Sequence, residues 1–300
     1  MSEILVIGSS NTDMVINVQT LPTAGQTVLG GVFSTFAGGK GANQAVAARR
    51  AGAEVNFMLS VGDDDLGKAA LDALNSEGIN TDCSQVLSET ASGVAMILVD
   101  ANGENSIAVA PGANDGLSCD FLSENRQIFS AMSILLMQLE IPMKSVEKAV
   151  SIANENDLPV ILNPAPAAEL SDTLLKNLFC LTPNESEAEV LTGVTIIDLE
   201  SAELAAGKLL NRGVQNVIIT LGENGALLCD ASGIYHQSAD EVTVVDTTAA
   251  GDTFNGILAT VLAEGQTLQE AMRLAVRGAT LTVQAAGASA SIPSRDQYGV

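Results

Sequence analysis

The feature that most constrains this chain is a regular alternation between short apolar runs and longer helical segments. The apolar runs lie at residues 4–8, 54–60, 133–138, 158–162, 178–182 and 216–221. Segments with the character of helices lie at residues 41–51, 64–77, 118–131, 143–156, 199–211, 249–264 and 267–285. Repeated strand–helix units predict an α/β fold with a mostly parallel sheet and helices on both faces. Ligands of such sheets bind beyond the carboxyl ends of the strands.

Two regions break this alternation. Residues 14–36 and 93–109 alternate apolar and polar side chains and carry turn-forming residues. This pattern predicts short antiparallel strands with one exposed face, which together could form a small second sheet. The main domain would then comprise residues 1–13, 37–92 and 110–300. A hairpin of residues 225–229 with 233–237 follows its last parallel strand.

Composition excludes several classes of function. The chain has 36 acidic and 13 basic residues and a net charge of −23, which argues against binding to nucleic acid or to a membrane surface. Four widely spaced cysteines form no CxxC pair, and His236 is the single histidine, so most zinc sites are excluded and a catalytic histidine is disfavoured. The sequence contains no run of 18 apolar residues and no signal peptide, so we expect a cytoplasmic protein.

A glycine-rich turn at residues 38–43, GGKGAN, leads into an alanine-rich helix. Glycines allow a ligand to approach the backbone closely, and the start of a helix offers free N–H groups. Lys40 adds a positive charge suited to a phosphate or a hydroxylated ligand. The spacing is not that of a Walker A loop. A purely structural turn is the alternative interpretation.

A second small-residue turn opens a long helix within DTTAAGDTFNG, residues 246–256. The N–H groups of such a turn could form an anion hole for the charge that develops on a phosphate. Asp252 projects from the same turn and could accept a proton from an attacking hydroxyl. The alternative is that it only caps the helix, but Asp246, Thr247 and Thr248 already offer that cap.

Four further segments at strand ends carry carboxylate or amide groups. In TPNESE (182–187), Asn184 and Glu187 form either a capping box or part of a hydrated Mg²⁺ site. In GSSNTD (8–13), Asn11 and Asp13 either bind hydroxyls or form an Asx turn. Glu140 ends the apolar strand of MQLE (137–140), and TLGENG (220–225) is either a plain turn or a nucleotide contact.

Taken together, the chain resembles the ribokinase-like (PfkB-type) carbohydrate kinases over nearly its whole length. The family's N-terminal signature is similar to GGKGANQAVAA (38–48), its C-terminal signature to DTTAAGDTFNG (246–256), and its N-x-x-E motif to TPNESE (182–187). Members that phosphorylate ribose resemble it further in GSSNTD, MQLE and NPAPA (163–167). The resemblance implies a three-layer sandwich with a β-sheet lid, formed here by residues 14–36 and 93–109, and ATP-dependent phosphorylation of D-ribose at O5.

The resemblance also implies roles for individual residues. Asp252 would be the base, and Ala249, Ala250, Gly251 and Asp252 would form the anion hole. Ribose would be held by Asn11, Asp13, Gly39, Lys40, Asn43, Glu140 and Asp252. ATP would contact Asn184, Thr220, Gly222, Gly225, Gly251 and Val276, although relatives often carry His or Asn at the position of Val276.

Two cations and a dimer are implied as well. Glu187 would position Mg²⁺ through water. A K⁺ ion beside the anion hole would be held by Asp246, Thr248, Thr282, Ala285, Gly287 and Ser291. A homodimer through the lid is expected.

Alternatives remain open at this level. A kinase for 2-deoxyribose, fructose or adenosine is the nearest one, and a non-catalytic sugar or nucleotide sensor on the same fold belongs to another class. A dinucleotide-dependent dehydrogenase is disfavoured because no G-x-G-x-x-G follows the first strand.

Overall fold

The computed structural model describes residues 2–299, which form fourteen strands in three sheets. In chain order the strands are β1 (Glu3–Ile7), β2 (Asn11–Asn17), β3 (Val32–Gly38), β4 (Glu54–Met58), β5 (Ser60–Gly62), β6 (Gln85–Leu87), β7 (Gly93–Val99), β8 (Asn105–Ala110), β9 (Ile134–Met137), β10 (Val160–Leu162), β11 (Cys180–Leu181), β12 (Asn216–Thr220), β13 (Ala226–Asp230) and β14 (Gly233–Gln237).

Eleven α-helices connect these strands within the described residues. They are α1 (Lys40–Arg50), α2 (Asp65–Ser76), α3 (Cys119–Glu124), α4 (Met143–Glu155), α5 (Asp172–Leu175), α6 (Glu185–Thr192), α7 (Leu199–Asn211), α8 (Ala250–Ala263), α9 (Leu268–Thr282), α10 (Ala288–Ser291) and α11 (Arg295–Tyr298). None of these helices is long and apolar enough to cross a membrane.

The eight-stranded sheet has the order β14-β13-β12-β11-β10-β9-β1-β4. All pairs from β12 to β4 are parallel, and β13 and β14 form an antiparallel hairpin at one edge. The prediction of a mostly parallel sheet followed by a hairpin is therefore confirmed. The chain moves from β1 to one neighbour, β4, and later returns to the other, β9. The carboxyl ends of β1 and β9 thus border the crevice where ligands of open parallel sheets bind.

Each face of this sheet carries its own hydrophobic core because successive strand side chains point to opposite faces. In β1, Leu5 and Ile7 pack into the core that is covered by helices including α4 and α7. Ile4 and Val6 pack into the other core, which is covered by helices including α1, α8 and α9. Helices therefore lie on both faces, and the expected three-layer sandwich is confirmed.

The small sheet, defined here as β2, β3, β7 and β8, has the order β3-β2-β7-β8. Its two hairpins are antiparallel, as the alternating pattern predicts, and they join through the parallel pair of β2 and β7. The strands extend beyond residues 14–36 and 93–109, since they begin at Asn11 and continue to Gly38 and Ala110. Every residue of β8 is exposed.

Some predicted boundaries were wrong. The helix expected over 118–131 ends at Glu124, because Asn125 leaves helical geometry and its side chain caps the Phe121 carbonyl; a 3₁₀ segment over 126–131 follows. The strand expected over 54–60 ends at Met58, and Ser60–Gly62 pairs instead with Gln85–Leu87 in a two-stranded sheet that the sequence did not indicate.

Candidate active site

A cleft of about 840 Å³ lies between the carboxyl ends of the parallel strands and the small sheet. Every chain segment singled out from the sequence, apart from the 222–225 turn, contributes to its wall. The side chains or backbone of the following predicted residues line it: Asn11, Asp13, Gly39, Lys40, Asn43, Glu140, Asn184, Glu187, Thr220, Asp246, Thr248, Ala249, Gly251, Asp252 and Gly287.

Helix α8 begins at the cleft without a side-chain cap. Ala249, its N-cap residue, has a φ of 64°, a left-handed conformation that is uncommon for a residue other than glycine. A methyl group added to Gly251 would meet no atom within 4 Å, so the turn faces open space. The first N–H groups of a helix have no partner within the helix. Among the predicted anion-hole donors, the Ala250 N–H already donates to the Thr247 carbonyl at 3.3 Å, so the turn can bind an anion through the donors that follow it, at Gly251 and Asp252.

Asp252, in the first turn of α8, is held from two sides. Asn43 Nδ2 donates a hydrogen bond to Asp252 Oδ2 at 3.0 Å, and Gln44 Nε2 donates to Asp252 Oδ1 at 3.0 Å. The carboxyl group is buried, and this burial raises its pKa; Lys40 and the two amide donors act to lower it, while Glu140 raises it further. Its geometry is thus fixed and its two oxygens face donors.

The carbonyl side of the same turn is anchored to the sheet. Thr182, after β11, donates from Oγ1 to Asn255 Oδ1 at 2.6 Å, and Asn255 Nδ2 donates to the Gly251 carbonyl at 2.8 Å. These buried bonds fix the start of α8 relative to the end of a parallel strand.

The glycine-rich turn brings Lys40 to the cleft. Gly39 has a φ of 90°, and a Cβ there would lie 2.7 Å from the Asn11 backbone nitrogen, so a side chain would be strained and obstructed. The Lys40 N–H donates to Glu140 Oε2 at 3.0 Å, and Ser9 Oγ donates to the same oxygen at 2.6 Å. Burial acts to lower the pKa of Lys40, but the carboxylates of Asp252, Glu140 and Glu187 leave that pKa raised.

The small sheet contributes Asn11 and Asp13 from β2. Asn114, in a 3₁₀ segment after β8, donates to Asn11 Oδ1 at 2.8 Å and so orients that amide. Asp13 carries no comparable support from the described residues. Burial first, and then the charges of Glu140 and Asp252, raise the pKa of Asp13 to about 6.

Asn184 and Glu187 form a capping box at the start of α6, which was one of the two interpretations of their spacing. The Glu187 N–H donates to Asn184 Oδ1 at 2.8 Å, and the Asn184 N–H donates to Glu187 Oε2 at 2.9 Å. Glu187 is nevertheless buried in the cleft wall. Burial raises its pKa, which the Asn184 N–H and Lys40 act to lower. The cap therefore leaves a carboxylate facing the cleft.

A third group of contacts joins the segment before α8 to the segment after α9. Asp246 Oδ1 accepts from the Thr248 N–H at 2.9 Å and from its hydroxyl at 2.6 Å, and Asp246 Oδ2 accepts from the Gly287 N–H at 3.0 Å. Burial acts to raise the pKa of Asp246, but these three hydrogen bonds hold it below its usual value. The carboxylate is therefore ionised and holds these two segments together.

Some predicted site residues do not line the cleft. Val276 is buried in the core between α9 and the sheet, and Thr282 donates its hydroxyl to the Gly278 carbonyl. The other predicted site residues that do not line the cleft are Ala250, Gly222, Gly225, Ala285 and Ser291. Their predicted roles stay predictions.

Sequence reasoning missed the amides that hold the site together, namely Gln44, Asn114, Gln138, Asn163 and Asn255. A usable signal was present for Gln138, since it is a polar residue inside an apolar strand end. Gln44 gives a similar signal among the alanines of α1.

Residues 1–295 match the family model described as pfkB family carbohydrate kinase. The chain belongs to this family. Among its pfkB relatives, the ribokinase of Haemophilus influenzae is 43% identical over 97% of this chain and 95% of the relative. The deoxyribokinase of Salmonella typhimurium is 36% identical over 99% of this chain and 97% of the relative.

The pfkB fold is also evident in solved structures. The structure of Arabidopsis thaliana ribokinase complexed with ribose and ATP superposes with a TM-score of 0.93 at 31% identity, covering 99% of this chain and 98% of that one. The family resemblance stated from the motifs is therefore confirmed.

Proposed function

We propose that this protein is an ATP-dependent kinase that transfers a phosphoryl group to O5 of D-ribose. The observation that carries the proposal is the shared cleft: the uncapped start of α8 with buried Asp252 faces Lys40, Asp13 and Glu140 across one cavity. The similarity to ribokinases over almost the whole chain supports ribose as the sugar.

Ribose would be bound by groups that prefer hydroxyls. The proposed ligands are Asn11, Asp13, Gly39, Lys40, Asn43 and Glu140, which all line the cleft. Asn43 Oδ1 is buried and has no hydrogen-bond partner among the described residues, so it is available to accept from a hydroxyl. We propose that the small sheet acts as a lid over the sugar and excludes water from the cleft.

In the transfer step, O5 attacks the γ-phosphorus while the bond from that phosphorus to the bridging oxygen of ADP breaks. The hydroxyl proton passes to the carboxylate of Asp252. The N–H groups of residues 249–252 stabilise the negative charge on the transferred phosphoryl group. A weakly basic carboxylate suffices, because the transition state of phosphoryl transfer is loose. We propose contacts of ATP with Asn184, Thr220, Gly222, Gly225, Gly251 and Val276.

Mg²⁺ fits this cleft only as a hydrated ion. The described residues contain no group of three or more His, Cys, Asp or Glu side chains that could enclose a metal. Glu187 offers one buried carboxylate, which suits an ion that keeps most of its waters and binds ATP oxygens. Bound there, Mg²⁺ would neutralise charge on the phosphates, and Glu187 would orient one of its waters.

K⁺ fits the loops joined by Asp246. An ionised carboxylate is a suitable ligand for such a cation. We propose that the oxygens of Asp246, Thr248, Thr282, Ala285, Gly287 and Ser291 supply the donor set. Bound there, K⁺ would hold these loops together. In this chain, the Asp246 hydrogen bonds to Thr248 and Gly287 position the residues that precede Ala249.

The test is a coupled assay of ADP release with ATP and Mg²⁺, run with D-ribose, 2-deoxyribose, fructose and adenosine in parallel. We expect the largest kcat/KM with ribose. A larger value with 2-deoxyribose would favour the activity named for the Salmonella relative. Ribose binding in calorimetry without any ADP release would overturn the kinase proposal in favour of a sugar sensor.

We also propose a homodimer through the small sheet. Phe33 and Met96 are 60% and 49% exposed, and by strand alternation they lie on the face of the sheet opposite Asp13. Exposed apolar residues on a sheet face favour association with another copy. Sedimentation should give the dimer mass for the natural sequence and the monomer mass for Phe33→Glu. A monomer in both cases would contradict the proposal.

A further inference from the structure

Behind Asp252 lies a chain of buried amide side chains. Gln44 Nε2 donates both to Asp252 Oδ1, at 3.0 Å, and to Asn163 Oδ1, at 3.1 Å. Gln138 Nε2 donates to Gln44 Oε1 at 2.6 Å. Gln44 and Gln138 are completely buried, and neither lines the cleft. They therefore reach the cleft only through Asp252 and Asn163.

The direction of every amide in this chain is determined by its partners. An ionised carboxylate only accepts hydrogen bonds, so Gln44 must present its NH₂ group to Asp252. Asn163 presents its oxygen to the same NH₂ group because its own NH₂ group donates to the Thr182 carbonyl at 3.0 Å. The Gln44 oxygen then points away, towards the Gln138 donor.

Gln138 occupies space that exists only because Gly8, the residue directly after β1, has no side chain. A Cβ built on Gly8 would overlap Gln138 Oε1 and approach the Gly41 Cα to 2.9 Å. Gln138 Oε1 has no hydrogen-bond partner among the described residues. An unsatisfied buried carbonyl oxygen lowers stability, so a glutamine here is not explained by the stability of the core.

We propose that Gln44 is a positioning residue that fixes the orientation of the Asp252 carboxylate, and that Gln138 in turn fixes the orientation of Gln44. The inference rests on the proposed function of Asp252 as the base. With Gln44 on Oδ1 and Asn43 on Oδ2, the plane of the carboxylate is fixed, and its remaining lone pairs are directed for the attacking hydroxyl. No amide in the chain can take up the proton that Asp252 accepts.

Charged side chains also act on the pKa of Asp252, and substitutions of Gln44 or Gln138 leave these charges unchanged. Lys40 lowers its pKa, and Glu140 raises it. Asp252 in turn raises the pKa values of Asp13 and Glu187. A variant that changes only Gln44 or Gln138 therefore isolates the contribution of the amides.

The test compares Gln44→Met and Gln138→Met with a matched control, Thr260→Val. Thr260, on α8, is likewise completely buried and donates a hydrogen bond to α1, to the Ala48 carbonyl at 3.2 Å, but it makes no hydrogen bond to the amide chain. We expect Gln44→Met to lower kcat at least about 10-fold with the ribose KM within about twofold. Gln138→Met should show the same pattern with a smaller loss, and Thr260→Val should keep its kcat.

A pH profile separates positioning from structural damage. The hydrogen bond from Gln44 lowers the pKa of Asp252. Its loss should therefore move the acid limb of the kcat profile to higher pH than in the natural sequence. A normal kcat in Gln44→Met, or equal losses of kcat and melting temperature in Gln44→Met and Thr260→Val, would overturn the proposal.

A direct titration keeps this inference separate from the proposed function. The ¹³C carboxyl signal of Asp252, assigned by its loss in Asp252→Asn, should titrate at higher pH in Gln44→Met than in the natural sequence. An unchanged titration would overturn the inference even in an active kinase. If the natural sequence releases no ADP with ribose, the proposed function fails, and the upward shift would still show that Gln44 acts on Asp252.

Discussion

Two carboxylates face the cleft from different parts of the molecule, and they are held in different ways. Asp252 lies on α8, against the eight-stranded sheet, and two amides with fixed directions hold its oxygens. Asp13 lies on β2 of the small sheet, and no hydrogen bond from the described residues reaches its carboxylate. The first group is positioned before any ligand binds, whereas the second still lacks partners.

The surroundings of Asp252 and Asp13 differ in burial in the same way. The parallel strands and the start of α8 are buried between two cores, while β8 is exposed along its whole length. A sheet covered on both faces resists movement, and a sheet with few buried contacts opens and closes readily. We infer that Asp252 is preorganised and that the hydrogen bonding of Asp13, on the small sheet, is completed by the sugar itself.

The largest effect should come from Asp252→Asn, which tests the preorganised side. Asparagine keeps the size of the side chain but cannot accept the hydroxyl proton. We expect kcat to fall at least about 100-fold, with a small change in the ribose KM. Steady-state assays with ribose and saturating MgATP measure both. A kcat near that of the natural sequence would show that Asp252 is not the base.

Asp13→Asn tests the small-sheet side of the cleft and should change the ribose KM rather than kcat. Loss of a charged acceptor for ribose hydroxyls should raise the ribose KM by roughly 10- to 100-fold and leave kcat within about threefold. A loss of kcat as large as that in Asp252→Asn would remove the distinction between the two carboxylates.

The same variant should also be more stable than the natural sequence at pH 7. The raised pKa of Asp13, about 6, means that the folded protein holds this proton more tightly than the unfolded chain. The ionised form therefore destabilises the fold increasingly as pH rises from about 4 to about 6. Removing the charge should add about 1 kcal/mol at pH 7 after allowance for solvent screening, as thermal or denaturant unfolding would measure.

The K⁺ dependence of kcat tests the preorganised side of the cleft, next to the eight-stranded sheet. Asp246 joins Thr248 to Gly287 just before the turn that we propose as the anion hole. Withdrawing K⁺, with a bulky organic cation keeping the ionic strength constant, should lower kcat about 10-fold because the turn becomes less preorganised. Asp246→Asn should lose this dependence. Equal activity at zero and high K⁺ in the natural sequence would contradict the proposed site.

The comparison also explains which parts of the structure were predictable from sequence. Apolar runs such as residues 133–138 identify buried parallel strands, because only such strands are covered on both faces. The alternation in residues 14–36 and 93–109 identifies exposed strands for the opposite reason. The parallel pairing of β2 with β7 was not predictable, because it joins segments about 80 residues apart without a local signal.

The site was predictable to the extent that its residues lie in loops after strands. Lys40, Glu140 and Asp252 follow from their positions at the carboxyl ends of strands or at helix starts. Gln44 and Gln138 each stand out as a polar residue in an apolar context, but their role was not found, because it depends on a hydrogen bond between residues 94 positions apart in sequence. Local sequence patterns predict the fold and the residues that face the ligands, whereas the residues that orient those side chains are seen in the tertiary packing.

The smallest predicted effect is the pH dependence of ribose binding, measured by calorimetry in the absence of ATP. The pKa of Asp13, about 6, means that half of the protein carries protonated Asp13 at pH 6 and almost none at pH 8. If ribose hydroxyls donate to the ionised carboxylate, the affinity should be about twofold weaker at pH 6 than at pH 8. By linkage, binding should then release about half a proton per ribose at pH 6, which buffers of different ionisation enthalpy reveal.

Asp13→Asn decides where that proton comes from. Both the twofold change and the proton release should disappear in the variant if the small sheet carries the titrating group. Burial also raises the pKa values of Asp252 and Glu187, on the other side of the cleft. If proton release persists in Asp13→Asn, ribose binding acts on those carboxylates, and the preorganised side of the cleft would also be adjusted by the sugar.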